Sequence, residues 1–352
     1  MPFLHRQATS IENGQVRVTV LHEGGHVAEI LHKETGVNPL WIPPWESIEP
    51  SAYDAAAHPE YGSSIESKLL AGIVGHNLCL DLFGPPSPQE AQAGIGVHGE
   101  SSVVRYEVTG DERQISLSAR LPLSALTVRR VVTLAEEGTT VHFSETVENL
   151  LSVDRAIAWT QHVTLGPPFL QGGSTRFWIP ASRSRVYGPP GFGDSALVAG
   201  AEFNWPFAPL TTGGEADLRT FSSSPRSAGY TAHLMDPQRT DAYFAAYSPA
   251  GKILFGYRWK REDFPWLGMW EENRSRSAPP WNGETVACGM EFGVSPFPET
   301  RRQTVERGRL FGTPCYRWLA ARERVTVEYS AFIHRIEEED VKGAAMEHMP
   351  ED

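Results

Sequence analysis

The chain has 352 residues, a formal net charge of −12, and 40% hydrophobic against 21% charged residues. That is ample material for a large core and unlike a disordered composition, while an acidic balance without a basic stripe excludes the clustered Lys and Arg of a nucleic-acid footprint. No run approaches the ~20 apolar residues of a membrane helix, and Cys79, Cys288 and Cys315 are too scattered for a disulfide framework or a thiolate zinc site.

The start, MPFLHRQATS, carries no signal-peptide pattern, so a soluble, cytoplasmic, unprocessed protein is expected. Strand-like alternation begins at QVRVTVLHE after the Asn13-Gly14 turn. His22 and His26 have a helical metal-ligand spacing, but Gly24 and Gly25 between them predict a turn. Residues 36–66, rich in Pro, Ser and Trp, read as a long loop, and a short helix is predicted at Ser67–Ala71. Alternation resumes in SSVVRYEVTG, RQISLSARL, LTVRRVVTLAEE and TTVHFSETVENL. A second long loop covers 185–229, followed by strands in DAYFAAYSP, KILFGYRW and RVTVEYSAFIH. Residues 337–352 hold seven acidic residues and one lysine and are expected to fray. Glycine and proline are spread along the chain, which predicts one all-β domain over 1–352, a sandwich or jelly roll with few short helices.

Three strand-like segments carry a titratable group on a face otherwise cleared of bulk. In TVACGMEFGV, Ala287, Gly289, Glu291 and Gly293 share a face opposite Val286, Cys288, Met290, Phe292 and Val294. Glycine weakens a strand, so its presence on both sides of Glu291 calls for a compensating close approach, of which a ligand is one kind. In AIAWTQHVTL, His162 shares its face with Ala158, Thr160 and Thr164, and in GIGVHGE the glycines Gly94 and Gly96 precede His98 on its face. Two imidazoles and a carboxylate suit proton transfer near neutral pH. The bland alternatives are a structural ion pair for Glu291, with Arg301 or Arg258, a core histidine for His162 and a tight turn at Gly99 for His98.

Four ordered blocks resemble the aldose 1-epimerase (galactose mutarotase) superfamily. They are GGHVAEILHKETGVNPLW, LLAGIVGHNLCLDLFG followed by GIGVHGE, VENLLSVDRAIAWTQHVTLGPPFL, and CGMEFGVSPFPE. The resemblance implies a galactose mutarotase-like β-supersandwich and an isomerase acting without a cofactor on the hemiacetal of a small-molecule sugar. It assigns Glu291 as base, His162 as the acid at the ring oxygen and His98 as a second donor to that oxygen. Two departures stand out. The family's substrate-gripping arginine is replaced by His76-Asn77, and its aspartate-histidine pair is echoed in TAHLMD by His233 and Asp236. These four are candidate substrate-binding residues, and the altered block keeps a non-catalytic carbohydrate-binding or sensing protein as the alternative.

Trp259, Trp266, Trp270 and Trp281 cluster in one region, and indole faces cover the C–H faces of pyranose rings. Trp270 or Trp266 is expected to line the pocket, with core filling as the competing role. Glu272, beside them, is the rival carboxylate to Glu291. Arg274, Arg276, Arg301 and Arg302 are candidates for gripping an anionic substituent, or form a solvated surface. The anomer preference and oligomeric state are left open.

Overall fold

The computed structural model describes residues 2–188, 195–337 and 341. The alternating segments form two large antiparallel sheets packed face to face. One has eleven strands, and its centre runs His76–Asp81, Arg155–Leu165, Val286–Gly293, Trp266–Asn273 and Ser227–Met235, in that spatial order. The other has eight, ordered Arg176–Trp178, Asp241–Ser248, Ile253–Lys260, Arg324–Arg335, Thr140–Asn149, Leu126–Leu134, Gln114–Leu121 and Glu107–Gly110.

The inner faces meet in one apolar core. Leu78, Trp159, Met290 and Phe292 from the first sheet pack with Val128, Val147, Phe244, Phe255 and Ile333 from the second, all essentially inaccessible to solvent. Each such side chain contributes about 1.5–3 kcal/mol. The strand from Arg155 to Leu165 shows the period-two logic directly. Trp159, Gln161, Val163 and Leu165 alternate with His162 and Thr164, so the histidine is held on the outer face by the burial of its neighbours.

A second apolar cluster covers the outer face, built from Trp41, Leu69, Leu70, Phe83, Tyr230, Trp270, Trp281 and Phe297. Segment 36–66, which contains two short 3-10 turns, Pro50–Ala52 and Pro59–Tyr61, adds Trp41, and the helix Ser67–Gly72, at the predicted place, adds Leu69 and Leu70. Segment 185–229 is not purely irregular, since it holds the short strands Glu202–Phe203, Phe207–Pro209 and Glu215–Asp217. Two further short helices, Pro88–Gln92 and Arg301–Arg307, each begin with a capping box, Ser87 with Glu90 and Thr300 with Gln303. The expected fraying of the acidic tail concerns residues that, apart from Glu337 and Val341, lie outside the described residues. Among the described residues, no helix is long and apolar enough to cross a membrane, and no cluster of His, Cys, Asp and Glu could hold a metal ion.

Candidate functional site

Strand register brings distant residues into one row. Asn77 lies opposite His162, His162 opposite Glu291, and Glu291 opposite Gly268. The neighbouring row runs Thr164, Gly289, Trp270 and Tyr230. Glu291 and His162 are therefore lateral neighbours on one sheet face, and the imidazole Nε2 is 3.0 Å from Glu291 Oε1. The other ring nitrogen, Nδ1, is 3.1 Å from the Thr164 hydroxyl, which fixes the ring plane. Glu291 is 2% exposed and His162 5%.

His98 completes the group from a turn, not from the strand its spacing suggested. Its φ of +64° is left-handed, a conformation disfavoured for residues with a Cβ and held here by local bonds. The backbone N–H of His98 donates to the Gly84 carbonyl at 3.0 Å, and the Gly84 N–H donates to the ring Nδ1 at 3.2 Å. Gly99 follows with φ +82°, where a side chain would strike the Leu80 carbonyl, so the turn lies directly on the His76–Asp81 strand. The His98 ring stands 5.3 Å from that of His162, centre to centre. With Nδ1 accepting, Nε2 carries the proton and is a neutral donor. Burial, then the charge of His162 and of Arg276, holds the His98 pKa well below its ordinary value.

These three groups line a cavity of about 400 Å³, within the size range of small-molecule sites. Its walls are aromatic. Trp270 lies 6.1 Å from the His162 ring and meets Trp281 edge to face at 6.1 Å, and Trp281 stacks with Trp41 at 6.5 Å. Arg276 lies over the Trp281 ring at 4.6 Å, with Glu272 at 3.4 Å and Glu66 at 3.8 Å as ionic neighbours. A larger hollow of about 500 Å³ beside Arg309, Arg317 and Trp318 contains no histidine.

The glycines around Glu291 have specific reasons. A Cβ at Gly289 would sit 2.5 Å from Glu291 Oε1, so this glycine makes room for the carboxylate itself. A Cβ at Gly293 would meet Thr160 Oγ1 at 2.4 Å and the Trp159 carbonyl at 2.7 Å, so that glycine permits close approach of the adjacent strand, not of a ligand.

The remaining candidates divide by strand face. Trp270 lines the cavity, whereas Trp266 is fully buried beside it and donates its indole N–H to the Pro314 carbonyl at 2.8 Å. Asn77 shares the cavity face, and its amide donates to Ser102 Oγ at 3.0 Å beneath the lining. His76 points into the sandwich, bonded to the Tyr257 hydroxyl and to Gln161 Oε1 at 3.0 Å each. His233 also faces away, held by Ser184 at 2.8 Å and Thr231 at 2.9 Å, and burial lowers its pKa to about 3. Asp236 closes a turn by accepting from the Gln238 N–H at 3.0 Å, away from the cavity. Glu272 is buried and accepts from the Ser275 N–H and hydroxyl at 2.6 Å each, so it anchors the loop that carries Arg276. Arg301 is committed to Asp81 and Glu90, at 2.8 Å each.

Among the lining residues not singled out from sequence are three aromatics, Tyr230, Tyr187 and Trp41. In TAHLMD, His233 lies on the face of its strand opposite the cavity, bonded to Ser184 and Thr231. Tyr230 and Ala232 lie on the cavity side, and only the register shows it.

No family model matches the sequence, and no curated protein matches it. Solved structures do. A protein of Klebsiella pneumoniae provisionally named an aldose 1-epimerase superposes with a TM-score of 0.67 at 14% identity, covering 94% of this chain and 80% of that one. A galactose mutarotase-like protein of Clostridium acetobutylicum gives 0.59 at 13% identity, covering 96% and 98%. A galactose mutarotase related enzyme of Lactobacillus acidophilus gives 0.57 at 12% identity, covering 94% and 99%. At such identity the likeness shows the fold, a galactose mutarotase-like β-sandwich.

Proposed function

We propose that this chain is a mutarotase-like isomerase that interconverts the anomers of a monosaccharide by general acid-base ring opening. The observation that carries this reading is the 3.0 Å contact between His162 Nε2 and Glu291 Oε1 on the floor of an indole-walled cavity. An acid and a base side by side can serve two oxygens attached to one carbon, which is the geometry of a hemiacetal.

In the proposed cycle, ionised Glu291 takes the proton of the anomeric hydroxyl while protonated His162 delivers one to the ring oxygen. The bond between the anomeric carbon and the ring oxygen breaks, leaving an open-chain aldehyde. After rotation about C1–C2, the freed hydroxyl adds to the opposite face of the carbonyl. It returns its proton to His162, and Glu291 returns the other to the new anomeric hydroxyl. Both side chains regain their starting states. His98, a neutral Nε2–H donor, holds the ring oxygen without titrating, and the indole walls cover the sugar's C–H faces.

A non-catalytic sugar-binding protein is the second reading. One observation favours it: the His76-Asn77 segment presents only Asn77 to the cavity side, and its amide nitrogen donates to Ser102. Polarimetry on freshly dissolved α anomers of neutral and charged monosaccharides separates the two. The isomerase reading predicts faster decay of optical rotation for at least one sugar, and calorimetric binding of a sugar whose decay stays at the spontaneous rate would establish the second.

A further inference from the structure

We infer that Tyr230 is a positioning residue for Glu291, its hydroxyl donating to the carboxylate across a gap left open by Gly268. This rests on the reading of Glu291 as the base and adds a residue to which that reading gives no role. Gly268 is the register partner of Glu291 on one side and of Ala232 on the other. A Cβ on Gly268 would fall 1.8 Å from the Tyr230 hydroxyl and 2.5 Å from its Cζ, so the phenol lies over this glycine toward Glu291. The ring is clamped by Phe83, Tyr187 and Phe297, with centres 5.8 to 6.4 Å away, and is 2% exposed. Burial, then the Glu291 charge, raises the phenol pKa well above its ordinary value. Tyr230 therefore stays protonated and keeps a proton to donate. Gly289 beside the carboxylate, His162 at Oε1 and Tyr230, reaching over Gly268 from two strands away, surround Glu291. A carboxylate held by two donors is ionised at lower pH than one held by a single donor.

The other groups facing Glu291 do not blur this effect. Cys79, and Cys288 on the opposite face of the strand, are kept as thiols by burial and by nearby carboxylate charge, and His98, across the cavity near Arg276, is kept neutral. His162 is the direct partner of Glu291, at 3.0 Å.

The test is carbon-13 NMR of the residue-291 carboxyl, assigned by its loss in Glu291→Gln, titrated without sugar in the wild-type protein and in Tyr230→Phe. This substitution removes one oxygen and keeps the clamped ring. The carboxyl signal is expected to titrate about one pH unit higher in the variant, which is what one hydrogen bond to a charged group is worth. The acidic limb of kcat/KM should move by the same amount. Site-specific 3-fluorotyrosine at position 230, a stronger donor, should move the signal the other way. Superimposable titrations of all three proteins would overturn the inference, even in a protein that accelerates anomer exchange. A shifted signal in a protein with no such activity would instead leave Tyr230 in its role and remove the isomerase reading.

Discussion

Glu291 and Gly289 stand in a steric relationship that leaves no room for a side chain: a Cβ at Gly289 would lie 2.5 Å from Glu291 Oε1 and 3.1 Å from Trp270 Cβ. Gly289→Ala should therefore displace the carboxylate from His162 while the apolar partners on the other strand face, Cys288 and Met290, keep the sheet intact. A displacement near 1 Å at a reacting group costs about 10²-fold in rate. The expected outcome is a folded protein by circular dichroism whose anomer-exchange rate has fallen by about that factor. A fully active Gly289→Ala would mean that the carboxylate position does not matter.

How much of this was legible in the sequence depended on whether a residue's role was set by its own strand or by a neighbouring one. Glu291 and His162 could be read because alternation puts core residues on the other face and small residues beside them. His98 reaches the cavity from a turn stabilised by Gly84, which no local periodicity connects to it. His76 and His233, candidates for substrate binding, are bonded in buried networks instead, because one polar residue among apolar ones reads alike whether it points to a pocket or into a buried network. The capping boxes at Ser87 and Thr300 were present as S-P-Q-E and T-R-R-Q, but they sit between segments too short for a helical period to register.

Replacing His162 by Gln should remove the acid while leaving a side chain able to fill the site. General acid-base catalysis by a positioned group contributes about 10²–10⁴-fold, so kcat should fall within that range and KM should change little. Steady-state kinetics on the best sugar provides the check. A loss confined to KM would indicate that the histidine only binds.

Trp281 closes the cavity wall between Trp41 and Trp270 and supports the Arg276 guanidinium. Trp281→Ala should weaken ground state and transition state alike, raising KM about tenfold with kcat nearly constant, equivalent to about 1.4 kcal/mol. An unchanged KM would take the sugar away from this wall.

Behind the His162 strand lies a buried charged network. Arg130 bonds Glu145 at 2.6 Å and Gln161 Oε1 at 3.0 Å, and Glu145 also accepts from Gln161 at 2.7 Å and from Trp159 at 2.5 Å. Arg130→Met would leave a buried carboxylate without its cation, and such losses cost about 3–5 kcal/mol. Urea unfolding should show the midpoint falling at constant m-value. A destabilisation below about 1 kcal/mol would show that water or rearrangement compensates.

Acid should destabilise the protein through its buried histidines. His26 and His233 have pKa values lowered to about 3 by burial, and His76 and His98 are also depressed. In the unfolded chain each titrates near 6.5, so below that pH the unfolded state binds protons that the native state refuses. Stability is thus complete above about 6.5 and lost as pH falls toward 3, at up to about 1.4 kcal/mol per pH unit for each such group. Thermal midpoints recorded from pH 7 to 4.5 should decline, and His233→Gln should decline less steeply. Identical slopes would contradict a neutral, buried His233.

Two-dimensional exchange NMR between α and β anomer signals of a responsive sugar, with wild-type and Glu291→Gln protein at equal concentration, tests the central claim most directly. Cross-peaks between anomers are predicted with the wild type, and the folded Gln variant is predicted to return exchange to the protein-free rate. Undiminished cross-peaks from that variant would show that the carboxylate of residue 291 is not the base.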